Sequence, residues 1–99
     1  MFCTPVDASA ADFRRLEGEY TIVRPDGGSE VELGLIITGE AAERLYNRLA
    51  VAATKDLCTG GTRKDHPTGM QCAKNSNEYT CSIGYQLRSG GTTPGPLTC

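Results

Sequence analysis

The side chains that could do chemistry are few, and most stand where a site is hard to build. General acid–base work needs a titratable group poised in a pocket. The only histidine, His66, sits in the polar stretch Asp65-His66-Pro67. No Gly-x-Ser-x-Gly elbow accompanies it, so a Ser/His/Asp relay has no frame. Glu30 and Glu32 are spaced by two and would share one strand face, a spacing that on the outer side of a hairpin ordinarily serves solvation. Gly60-Gly61-Thr62-Arg63-Lys64 joins glycines to positive charge, yet it lacks the GxxxxGKS/T register that cradles a phosphate. The expectation is a protein that is not an enzyme, with no catalytic residue, metal or cofactor.

The cysteines carry a sharper message. Cys3, Cys58, Cys72, Cys81 and Cys99 are separated by 54, 13, 8 and 17 residues. Zinc fingers and redox motifs need cysteines two to four residues apart, and no such pair is present. A Cys-Cys-Cys-His site would have to recruit His66 from its polar loop. Disulfides fit the spacing better, through Cys58, Cys72, Cys81 and Cys99. The expected pairing is Cys58–Cys72 and Cys81–Cys99, since each ties an irregular segment to a strand. Each closes a loop worth roughly 3 kcal/mol in chain-entropy terms. The rival Cys72–Cys81 bridge closes only a hairpin that is already local. Cys3 is then the odd thiol on a loose arm.

Around these residues the chain alternates regular and irregular stretches. Ser9-Ala10-Ala11-Asp12 is a helix-capping pattern, followed by Phe13 and Leu16 on one face, with Gly18 able to stop the helix. Tyr20–Arg24 is rich in β-branched residues, Pro25-Asp26-Gly27-Gly28 is turn chemistry, and Val31, Leu33, Leu35 and Ile37 alternate. That is a β-hairpin. Thr38 is the candidate N-cap of a helix reaching about Ala52, with Ala42, Leu45, Tyr46 and Leu49 forming its apolar stripe. Glu40 stands one turn before Arg44 as an ion pair. Residues 56–69 read as a surface loop.

A second hairpin follows, with Met70 and Cys72 on one strand and Tyr79, Cys81, Ile83 and Tyr85 on the other. If Ser76 and Asn77 are its central turn residues, Cys72 and Cys81 stand opposite each other. The predicted fold is α+β: a four-stranded antiparallel sheet from two hairpins, one main helix on a face, a short N-terminal helix, and disulfide staples. Residues 1–8 form an N-terminal arm and 9–99 a single domain.

The 99 residues are 38% hydrophobic and 22% charged, enough for a modest core and against wholesale disorder. Residues 1–50 carry a charge of −4 and residues 51–99 a charge of +2. No basic patch of the kind that binds nucleic acid dominates, and no stretch reaches the roughly 18–20 apolar residues of a membrane span. Met1–Val6 offers neither a basic nor an apolar signal region, while Ala8-Ser9-Ala10 has the small-x-small form of a signal-peptidase site. Two bridges imply an oxidising compartment, periplasmic or secreted.

Leu16-x-Gly18-x-Tyr20 followed by Asp26-Gly27, and Tyr79-x-Cys81-x-x-Gly84 near the end, resemble patterns of small exported bacterial proteins. No Asn-x-Ser/Thr sequon is present. Function is then expected in binding. Arg63, Lys64 and His66 lie in a long loop that a Cys58–Cys72 bridge would stiffen, lowering the entropy cost of engaging a protein. An inhibitor or immunity factor of the bacterial envelope is the first expectation. A structural or accessory envelope protein without inhibitory activity is the alternative.

Overall fold

The computed structural model describes residues 15–22 and 32–95. Their elements run β1 (Gly18–Ile22), β2 (Leu33–Thr38), α1 (Gly39–Arg48), β3 (Thr54–Lys55), β4 (Thr62–Asp65), β5 (Gln71–Asn75), β6 (Glu78–Tyr85) and β7 (Thr92–Thr93). The seven strands form one antiparallel sheet in the order β1-β2-β6-β5-β4-β3, with β7 also pairing β6. The α+β class and the single main helix match the sequence reading, but the sheet has seven strands rather than four.

The three unforeseen strands come from polar stretches. β4 contains Thr62, Arg63, Lys64 and Asp65, which by composition belong in a loop. Each side chain has a structural partner instead. Thr62 shares a hydrogen bond with the Tyr46 hydroxyl. Arg63 holds Asp65 through Nε and Nη2 at 2.9 and 2.7 Å. Lys64 reaches the end of α1, donating to the carbonyls of Tyr46 at 2.8 Å and Leu49 at 3.3 Å. Tertiary pairing overrides local polarity here, as strand propensity commonly yields to context.

The N-terminal helix does not match either. Residues 15–17 are not helical, and Gly18, expected as a helix stop, opens β1. The rest of that expected helix lies outside the described residues. So do residues 1–8, the first hairpin turn, Glu30, Cys3 and Cys99.

The hairpin from 70 to 85 follows its expected register. Cys72 faces Cys81, Lys74 faces Tyr79, and Ser76 and Asn77 form the turn between Asn75 and Glu78. Period-two alternation places Ile37, Cys81, Cys72 and Lys64 on one face, each opposite the next across four strands. On that face lies α1. Its stripe behaves as the spacing predicts: Ala42 and Tyr46 are buried, with Leu45 and Leu49 packed beside them. Ile37, Met70 and Tyr79 complete the cluster. Tyr46 meets Tyr79 edge to face with ring centres 5.6 Å apart. The helix is shorter than expected, ending at Arg48 rather than near Ala52. Thr38 occupies the N-cap position without a side-chain capping bond. Glu40 pairs with Arg44 at 2.7 Å, as read.

At the centre of this core is a disulfide, Cys72–Cys81. The expected Cys58–Cys72 and Cys81–Cys99 pairing is therefore overturned. The physical reason is the sheet. Cys72 and Cys81 have Cα atoms 4.0 Å apart, the close approach of a non-hydrogen-bonded cross-strand pair, where side chains stand nearest. Both are essentially solvent-free. Cys81 Sγ lies 3.4 Å from the Ala42 carbonyl oxygen, so the bridge is also the surface on which the helix rests. Cys58 is disulfide-bonded as well.

Candidate functional site

The helix covers only one face of the sheet. On the opposite face, Arg63 of β4, Ala73 of β5 and Thr80 of β6 form one rung, with Asp65, Gln71 and Ser82 on the rung beside it. The loop from Asp56 to Gly61 rises against this face. Between them is an open cleft of about 220 Å³. Ala73, the smallest side chain in its rung, leaves the space that Arg63 and Thr80 flank. Asp56, Cys58 and Thr59 supply the loop side, and Gln71 closes one end.

Asp56 organises the loop. One carboxylate oxygen accepts the Cys58 N–H at 3.1 Å and the other accepts the Thr59 hydroxyl at 2.8 Å. The Asp56 N–H donates to the Gly61 carbonyl, and its own carbonyl accepts the Gly60 N–H, both at 2.8 Å. The side chain is almost wholly out of solvent. The Thr59 hydroxyl, the Cys58 N–H and the charge of Arg63 hold its pKa below the usual carboxylate value, in that order, against the opposing pull of burial. A buried carboxylate with both oxygens satisfied is a fixed strut. Sequence reasoning passed over it, although Asp followed by Thr three residues later is the mark of a side-chain-closed turn. Cys58 of the same loop is disulfide-bonded.

Two polar atoms on this face have no hydrogen-bond partner among the described residues: Gln71 Oε1 and Ser82 Oγ. They belong to directly opposed residues of β5 and β6. Glu32 presents a third, its Oε2, while its Oε1 sits 3.5 Å from the Arg88 N–H. Glu32 is buried, which corrects the solvated outer-face position expected from its spacing.

The three residues expected to share a binding loop are separated. Arg63 lines the cleft and is held to Asp65. Lys64 points to the other face, under α1, with its ammonium 4.8 Å from the centre of the Tyr46 ring. His66 sits in the turn after β4, where Nδ1 meets the Thr68 hydroxyl at 2.8 Å and accepts the Thr68 N–H at 3.2 Å. That turn closes tightly at Gly69, whose φ of +101° and close approach to the Thr93 carbonyl leave no room for a side chain. A second depression, beside the start of α1 and of β6, gathers Glu17, Glu40, Glu43 and Glu78, concentrating part of the negative charge.

No known protein family, curated protein or solved structure matches this chain. Among the described residues there is no cluster of His, Cys, Asp or Glu able to hold a metal ion. Among them, too, no helix is long and apolar enough to cross a membrane.

Proposed function

We propose that this chain is a small exported binding domain that engages a protein partner through the cleft on its open sheet face, acting as an inhibitor or immunity factor of the bacterial envelope. The observation that carries the reading is the frame of that cleft: a loop braced by a buried carboxylate and a disulfide-bonded Cys58, set against a sheet stapled through Cys72. A pre-ordered concave site reduces the entropy lost on association. Its size suits a single anchoring side chain, the usual centre of a protein interface. Arg63 supplies a charged group at the rim, already oriented by Asp65.

Affinity capture from a native envelope extract tests this, using the chain as it stands and an Ala73→Trp variant that fills the cleft. A soluble protein held in one-to-one complex by the wild type and lost by Ala73→Trp is the expected result. Retention by both chains of the same wall or membrane assemblies would favour the accessory role instead. His66→Ala should bind like the wild type, because its imidazole is engaged in its own turn and not in the cleft.

A further inference from the structure

We propose that β1 pairs with β1 of a second copy of this chain, joining two sheets across their free edges. Among the described residues the main run of strands ends at β1 and β3, with the two-residue β7 at the side of β6, and the two ends differ. β3 is two residues long and carries Lys55, and both brevity and an edge lysine discourage pairing with another chain. β1 is five residues long, exposed throughout, and holds neither lysine nor proline. Tyr20 is 70% and Ile22 66% exposed, on a strand rather than a loop.

The backbone alternation specifies which groups are free. The Thr38 N–H donates to the Glu17 carbonyl at 2.9 Å, one step beyond the register in which Gly18 faces Ile37 and Glu19 faces Ile36. Glu17, Glu19 and Thr21 therefore turn their backbone groups toward β2, and Tyr20 and Ile22 turn theirs outward.

The strand is self-complementary about Tyr20. In an antiparallel pair centred there, Tyr20 exchanges backbone hydrogen bonds with its own copy. Ile22 falls opposite the second copy's Gly18, where no side chain obstructs it. Glu19 falls opposite the second copy's Thr21, so no like charges meet; direct opposition of like charges is what most often forbids such pairs. Tyr20 packs against Tyr20, giving a two-fold interface of the isologous kind. The contact is on the edge remote from the cleft, which lies at β4 and β5. A dimer leaves both clefts open, and the inference stands independently of the proposed binding role.

Sedimentation across a concentration series up to about 1 mM reads the equilibrium directly. The expected result is reversible dimerisation. Tyr20→Pro removes an outward N–H without breaking a bond to β2, so it should weaken the dimer at least about tenfold while the circular dichroism stays unchanged. Thr21→Lys, which sets an ammonium opposite Glu19, should tighten it, and Thr21→Glu should weaken it. Hydrogen exchange at the Tyr20 and Ile22 amides should slow as concentration rises. A monomer at every concentration overturns the proposal. So does a dimer indifferent to all three substitutions, or amide protection independent of concentration, which would place a segment of the same chain on the edge.

Discussion

Lys64 caps a helix from a neighbouring strand. Its ammonium meets the carbonyls of Tyr46 and Leu49, groups that a helix end leaves unsatisfied, and its charge sits at the negative end of the helix dipole. Lys64→Met keeps the apolar stem and removes those bonds. The expected loss is about 1–2 kcal/mol, read as a fall in Tm of roughly 4–16 °C at about 4–8 °C per kcal/mol. Ser76 is a residue-scale cost of the opposite kind. Its φ of 56° lies in the left-handed region, which disfavours a residue with a Cβ by about 1–2 kcal/mol. Glycine removes that cost but adds unfolded-state entropy of about 0.4–1 kcal/mol. Ser76→Gly should therefore raise stability by about 0.5 kcal/mol in urea unfolding. Asp56 makes a pH-dependent contribution. A carboxyl whose folded pKa is lowered stabilises the fold above its unfolded pKa, about 3.9, and loses that contribution as pH falls through the folded value. Thermal melts of wild type and Asp56→Asn should differ most near neutrality, and the gap should close as pH drops below about 4.

At the scale of elements, the stapled hairpin and the helix above it are one unit. The bridge between Cys72 and Cys81 closes a loop with a sequence separation of nine, which chain entropy values at about 2.5–3 kcal/mol. A Cys72→Ala/Cys81→Ala double variant should melt about 10–20 °C lower. Ala42 is the other half of the contact, since its buried methyl lets α1 come down onto the bridge. Ala42→Leu should cost about 1–3 kcal/mol by overpacking, measured by the same melts. These elements were legible because their signals agree: the i, i+3, i+4, i+7 stripe of Ala42, Leu45, Tyr46 and Leu49, and the alternation that set Cys72 opposite Cys81. The pairing of the cysteines was misread because loop-closure entropy favours longer loops, whereas the register fixes which sulfurs can touch. β4 was illegible for another reason. Its lysine and threonine satisfy partners distant in sequence, and polar composition alone cannot distinguish such a strand from a solvated loop. The cleft was half legible: Arg63 was singled out, while Asp56, Gln71 and Ala73 matter through positions that only the sheet assigns.

Across the whole molecule, one sheet separates two tasks. The covered face holds the core, and the open face holds the cleft. The edge at β1, which among the described residues pairs only with β2, is remote from both the cleft and the short, lysine-bearing edge at β3. A chain of 99 residues gains much of its rigidity from cross-links where a larger core would otherwise supply it, and a buried disulfide is compatible with an oxidising compartment. Disulfide mapping of natively sourced protein tests both at once. After alkylation without reduction, trypsin cuts at Lys55, Arg63, Lys64, Lys74 and Arg88, and the Lys74 cut falls between the bridged Cys72 and Cys81. The prediction is that the peptide 65–74 is joined through Cys72 to the peptide 75–88 through Cys81, with Cys58 of peptide 56–63 linked elsewhere. A 56–63 to 65–74 link, or five alkylated thiols, would contradict the account.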